Sequence, residues 1–162
     1  MASETAVRTE GPVSRTLEAA ALEGAVGFWL RLAQQQDLRR FNRMFAKEGV
    51  SQLIYSVLLL IGANPGCRQA DLGGALHIRQ PNLVDPIDGL IARALVLRRP
   101  DPDDRRAQTL WLTQEGEALL ARLRAAHDDL IDGYRRRLGP AAYDQLVALL
   151  GLFVTRGPDG TR

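Results

Sequence analysis

The chain has 162 residues, 46% of them hydrophobic, which is enough for one compact domain whose core needs neither disulfide nor metal. Its single cysteine excludes an intrachain disulfide, its two histidines leave too few ligands for an ordinary structural zinc site, and its longest apolar run, Val57 to Ile61, is too short to cross a bilayer. The net charge of +2 is too small to name a partner, but Lys47 is the only lysine, and arginines crowd at Arg39, Arg40 and Arg43, at Arg98, Arg99, Arg105 and Arg106, and at Arg135 to Arg137.

Residues 1–15 mix Ser, Thr, Glu, Gly and Pro without periodicity and are expected to form a flexible N-terminal arm. The opening Met-Ala-Ser-Glu-Thr has no basic start followed by an apolar stretch, so a cytoplasmic protein with no membrane partner is expected. From Leu17 to Phe45 the apolar residues Trp29, Leu32 and Ala33, then Leu38, Phe41 and Phe45, follow a helical spacing of three or four within each group, which predicts a long first helix closed by Gly49. Ser51 is placed to cap a second helix, whose apolar residues run from Leu53 to Ile61 and stop at Gly62-Ala-Asn-Pro-Gly66.

A short helix around Gln69 to Leu76, a turn at His77-Ile78 and a helix from Pro81 to about Ala94 make a helix-turn-helix outline. Within the second of these helices Pro86 removes a backbone donor and crowds the preceding turn, which costs about 3 kcal/mol in a helix interior and predicts a kink or break at Asp85-Pro86. Leu95 to Arg99 and Ala107 to Leu112 read as two strands of a β-hairpin around the polar turn Pro100 to Arg106. Thr113 can cap a helix of about 25 residues that ends at Gly139. Pro140 then opens a final helix striped with Tyr143, Leu146, Val147, Leu150 and Phe153, before a frayed tail over residues 157–162.

The terminal helices carry more apolar stripe than the small central module obviously covers; burial within the chain and burial against a second copy both satisfy such a pattern. The hairpin tip is more specific. A hairpin that projects arginine reaches narrow minor grooves, where negative potential concentrates, and Arg106 is the candidate for that insertion. Asp101, Asp103 and Asp104 fail the calcium-loop template, because Arg105, Arg106 and Leu112 occupy the third ligand, the glycine and the glutamate positions. With no phosphate-binding glycine loop and no nucleophile elbow, neither an enzyme nor a cofactor is expected.

The string Leu95-Val-Leu-Arg-Arg-Pro-Asp-Pro-Asp-Asp-Arg-Arg-Ala-Gln-Thr-Leu-Trp-Leu-Thr-Gln-Glu-Gly116 resembles the wing signature of the MarR family of bacterial regulators: strand, Asp-x-Arg tip, strand, then Leu-Thr-x-x-Gly. The resemblance spans nearly the whole chain. It implies a mainly α fold with a small β-hairpin wing, a winged helix-turn-helix with N- and C-terminal dimerisation helices. The organisation it implies is one domain over residues 16–156, with the winged module at about 51–112 and dimerisation helices at about 16–46 and 113–156.

The implied function is that of a ligand-responsive transcriptional repressor, binding a pseudo-palindromic operator in double-stranded DNA as a homodimer. Pro81 to Arg93 then becomes the recognition helix, with Arg79, Gln80 and Asn82 at its start able to reach bases or phosphates. Arg98, Arg99 and Arg105 would lie near phosphates, and Asp104 would pair with Arg106 and hold its direction. Gly27 to Ala33, Leu58 to Gly66 and Ile78 to Val84 are similar to the branch that senses hydroxycinnamoyl-CoA thioesters, which implies a small aromatic acid or acyl-CoA thioester as effector. Trp29, Arg31, Phe41, Arg43 and Tyr55 are the candidates to line its crevice. Cys67 lies before the helix-turn-helix rather than in the first helix, where cysteine sensors of the family carry theirs. Asp85, Pro86 and Gly89 depart from the family pattern and motivate an alternative, a winged-helix protein-interaction module with weak or no specific DNA binding.

Overall fold

The computed structural model describes residues 22–104 and 106–155. The expected arm over 1–15, the helix start at 16–21, Arg105 and the tail over 157–162 lie outside the described residues. The chain divides into two compact units, Met1–Asp37 and Leu38–Arg162.

Helix α1 runs Val26–Phe45 and so begins later than its apolar spacing predicts. Residues 22–25 form turns instead, around Gly24, whose backbone entropy disfavours helix by about 1 kcal/mol relative to alanine. In the first unit Trp29 Nε1 donates to the Glu23 carbonyl at 2.8 Å, and the Trp29 ring meets Phe28 edge-on at 5.3 Å.

In the second unit a short 3-10 turn, Ala46–Glu48, leads to Gly49, whose φ of 60° is the left-handed conformation that ends the segment. Helix α2 (Gln52–Ala63) starts where Ser51 Oγ accepts from the Ile54 N–H at 3.3 Å. Its side chains Val57, Leu58 and Ile61 are fully buried, each worth about 1.5–3 kcal/mol of transfer free energy. Strand β1 is only Cys67–Arg68, and helix α3 (Gln69–Leu76) follows without a linker.

Helix α4 spans Pro81–Ala92, with Pro81 in its first turn, where a missing N–H is harmless. Of the kink or break expected at Asp85-Pro86, the break does not occur, since α4 is continuous through it. Leu83 and Leu90 on either side, with Ile87, are at most 1% exposed, so core packing holds both halves of the helix in register and outweighs the local penalty. Arg93 then ties the end of α4 to the α1–α2 junction, donating to the Glu48 and Gly49 carbonyls at 3.0 and 3.3 Å.

Strands β2 (Val96–Pro100) and β3 (Gln108–Leu112) pair antiparallel with Arg98 opposite Leu110, and β1 adds to the far edge of β3 with Cys67 also opposite Leu110. The hairpin is therefore one side of a three-stranded sheet. Thr113 Oγ1 accepts from the Gly116 N–H at 3.0 Å and opens α5 (Gln114–Leu138). Gly116 packs so tightly on the Leu95 carbonyl that no side chain fits there. Helix α6 (Pro140–Thr155) follows the break at Gly139 and is tied back to α5 by Arg135 and Asp144 at 2.9 Å.

Leu119, Leu120, Leu123 and Leu130 from α5 join Phe41, Phe45, α2, α3, α4 and the sheet in one core. Helix α6 contributes no buried residue to it: Leu146, Val147, Leu149, Leu152, Phe153 and Val154 are all exposed. No single helix among the described residues is long and apolar enough to cross a membrane.

Candidate nucleic-acid interface

The start of α4 is presented by the turn before it. His77 takes a φ of 53°, and the Ile78 N–H bonds to the Gly73 carbonyl at 2.9 Å. A Cβ at Gly73 would stand 2.9 Å from the Ile78 carbonyl oxygen, so this glycine permits the close turn between α3 and α4. Gln69 Nε2 holds the Gln80 carbonyl at 3.1 Å. Arg79, Gln80 and Asn82 are all exposed at the N-terminal end of α4.

The wing tip is organised by a residue that sequence reading left out of the site. Asp101 is 7% exposed, and its Oδ1 accepts from the Asp103 and Asp104 N–H groups at 2.9 and 3.2 Å. Its Oδ2 accepts from Arg68 Nε at 2.8 Å and Arg68 Nη2 at 2.7 Å, a bidentate grip from β1. The Asp103 N–H first, and Arg68 next, hold this carboxyl below the usual carboxylate range. Asp at the head of an Asp-Pro-Asp-Asp turn is a readable cue for such capping. Arg68, 33 residues away in sequence, offers no local cue.

Beyond the tip, Asp104 Oδ1 accepts from the backbone N–H of Arg106 at 3.0 Å. The implied pairing with the Arg106 side chain is thus replaced by a turn that fixes the backbone from which the guanidinium projects, and Arg106 is exposed. Arg98 is held by Asp88 on α4 at 2.7 Å. Arg99 lies over the Trp111 ring at 5.0 Å; Trp111 Nε1 donates to Thr109 Oγ1 at 2.9 Å, and Thr109 donates to the Arg99 carbonyl at 3.1 Å. Aromatic stacking fixes the Arg99 stem while its nitrogens remain able to donate.

Of the ligand-binding candidates, three lie in the second unit and two in the first. Phe41 and Tyr55 are buried, with rings 5.8 Å apart and Phe45 and His127 beside them, because their helical spacing turns them into the core. Burial also raises the Tyr55 hydroxyl above its ordinary pKa. Arg43 edges a surface hollow with Arg40, Met44 and Leu130. In the first unit Trp29 is exposed and Arg31 lies over Phe28 at 5.7 Å. A hollow of about 250 Å³ that sequence reading missed lies between α2, β3 and α5, bordered by Gly62, Trp111, Leu120 and Arg124. Cys67 is half-buried, and burial, then the Asp71 carboxylate, raise its thiol pKa, the opposite of a reactive thiolate.

Residues 48–107 match the family model described as MarR family. The chain is 32% identical over 131 residues to a protein named as the transcriptional regulatory protein for the hcr operon of Thauera aromatica, covering 80% of this chain and 79% of that one. Among solved structures it resembles the transcriptional repressor CouR bound to a 23-mer DNA duplex, with 33% identity, a TM-score of 0.81, and coverage of 86% of this chain and 99% of that one. CouR bound to p-coumaroyl-CoA matches with 31% identity and a TM-score of 0.78, covering 86% and 98%.

Proposed function

The chain belongs to the MarR family of transcriptional regulators, and from that premise we propose that it represses transcription as a homodimer occupying a pseudo-palindromic DNA operator, released by an aromatic effector. The observation that carries the reading is one winged module presenting both an exposed helix start, Arg79, Gln80 and Asn82, and an exposed Arg106 on a hairpin whose tip is fixed by Asp101 and Asp104. The helix start enters a major groove and Arg106 the adjacent minor groove. Arg99 and Arg105 supply phosphate contacts that give affinity without sequence preference.

The second copy covers α6, whose apolar residues have no core of their own to enter. With α1 and α5 as its companions at the interface, the dimer sets two reading heads at half-sites about 34–36 Å apart. The effector is a hydroxycinnamoyl-CoA thioester or a related aromatic acid, a reading supported by the likeness to CouR with its p-coumaroyl-CoA. It releases DNA to the extent that it binds better to a geometry in which the heads are misplaced. No catalytic step is assigned.

The acidic, cation-free recognition helix favours one rival, a module that binds protein instead of DNA. Fluorescence anisotropy with the duplex upstream of the chain's own gene separates the two. Nanomolar binding that weakens steeply with salt and is reversed by p-coumaroyl-CoA supports the repressor; absent or salt-insensitive binding supports the rival.

A further inference from the structure

We propose that Asp85 is a specificity-determining residue, selecting cytosine at one position of each operator half-site by accepting a hydrogen bond from the exocyclic amino group of that base. The inference rests on the DNA-binding reading above. Helix α4 contains two acids and no lysine or arginine, so its meeting with a polyanion needs a chemical reason.

The buried side of α4 is set by Leu83, Ile87 and Leu90. At about 100° per residue, Asp85 falls almost diametrically opposite that side, at the centre of the outward face. Its neighbours four residues away on that face, Pro81 and Gly89, offer no side-chain donor, and three residues away stand the Asn82 amide and a second carboxylate, Asp88. Asp85 is exposed, and a Cβ built at Gly89 meets nothing within 4 Å, so no side chain covers the face at Gly89.

The other acid on α4 differs in one respect: Asp88 receives Arg98 Nη2 at 2.7 Å and is locally neutralised. Asp85 takes part in none of the four ion pairs formed among the described residues. An uncompensated acceptor-only group at the centre of a groove-facing surface repels phosphates, and repels the guanine and thymine edges, which present O6, N7 and O4. Two major-groove donors remain, adenine N6 and cytosine N4. Adenine N6 is flanked by acceptors on both sides, its own N7 and the thymine O4, whereas cytosine N4 has the paired guanine O6 on one side and only C5–H on its own edge, leaving room there for the second carboxylate oxygen. The same charge that weakens binding everywhere else becomes a discriminator at one base.

The test is selection of sites from randomised duplex by the full-length wild type, Asp85→Asn and Asp85→Ala, followed by titration of the selected duplexes. The wild type is expected to prefer cytosine at one position per half-site by about 5- to 150-fold. Asp85→Asn moves that position towards adenine, which asparagine reads through N6 and N7, and Asp85→Ala removes the preference there alone. Identical selected motifs for all three proteins overturn the proposal, as does a variant that binds every sequence more tightly with its motif unchanged. A wild type that enriches no motif removes the DNA-binding reading itself, a different outcome from a motif indifferent to residue 85.

Discussion

Arg98 on the wing strand β2 donates to Asp88 on the recognition helix at 2.7 Å, so a cation expected to face phosphate is engaged by a carboxylate of its own module. Both side chains are more than a third exposed, and such a pair contributes at most about 1 kcal/mol to stability. Its importance is for binding. Asp88→Ala frees Arg98, and DNA affinity should rise, with the slope of log K against log salt steeper by about one unit. Arg98→Ala exposes the acid and should weaken binding; an Asp88→Ala protein that binds less tightly than wild type would contradict this account.

Arg106→Ala should lower DNA affinity by about 10- to 100-fold, the scale of an interface arginine hot spot. Circular dichroism and sedimentation should be unchanged, since the side chain is exposed and takes no part in the core. Unaltered anisotropy titrations would remove Arg106 from the mechanism.

The grip of Arg68 on Asp101 predicts a local effect. Arg68→Met or Asp101→Asn should make the Asp103 and Asp104 amides exchange quickly with solvent and weaken DNA binding, with little change in melting temperature. The pH dependence follows from the lowered carboxyl of Asp101: its contribution is complete above the unfolded carboxylate value, about 3.9, and is lost only as pH falls through the lower folded value. Amide protection at the tip should therefore stay flat between about pH 5 and 8 and decline only in acid. Loss of protection near neutrality would show that another group holds the turn.

Two glycines should respond in opposite directions. Gly116→Ala drives a methyl into the Leu95 carbonyl and should destabilise the fold by at least the 1–3 kcal/mol typical of overpacking. Gly89→Ala meets nothing and should stabilise α4 by about 1 kcal/mol. Thermal denaturation of the two variants measures both, and equal melting temperatures would refute the packing argument.

Helix α6 supplies the last prediction. Phe153, 58% exposed, and Leu150, 37% exposed, belong to an apolar surface left uncovered among the described residues. Leu150→Asp with Phe153→Asp should halve the sedimenting mass and reduce operator binding to that of a single half-site. A doubly substituted protein that still sediments as a dimer would place the interface elsewhere.

The parts of the fold that were legible in the sequence are those governed by local chemistry. Ser51 and Thr113 cap their helices, His77 turns the chain between α3 and α4, and the hairpin flanks an Asp-Pro-Asp-Asp turn. Where distant packing decides, the sequence misleads or is silent. Pro86 obeys its core neighbours rather than its own penalty, Phe41 and Tyr55 are drawn inward, and β1 is too short to show alternation. For the site, residue type and position suggest Arg79, Gln80, Asn82 and Arg106, and the structure leaves all four exposed. They do not suggest Arg68 and Asp88, because their partners Asp101 and Arg98 meet them only after folding.

Strand β1 is two residues long, yet it is the place where the first turn of α3 and the end of the wing share a residue. The Arg68 backbone N–H is fastened to Asp71 at 2.7 Å, while its side chain holds Asp101. The start of α3 is therefore coupled to the hairpin's far end through the Arg68 side chain, in addition to the pairing of β1 with β3. On the proposed reading, Arg68→Met would therefore loosen the aim of Arg106 while leaving Arg79, Gln80 and Asn82 where they are, so that grip and address are separable properties of this module.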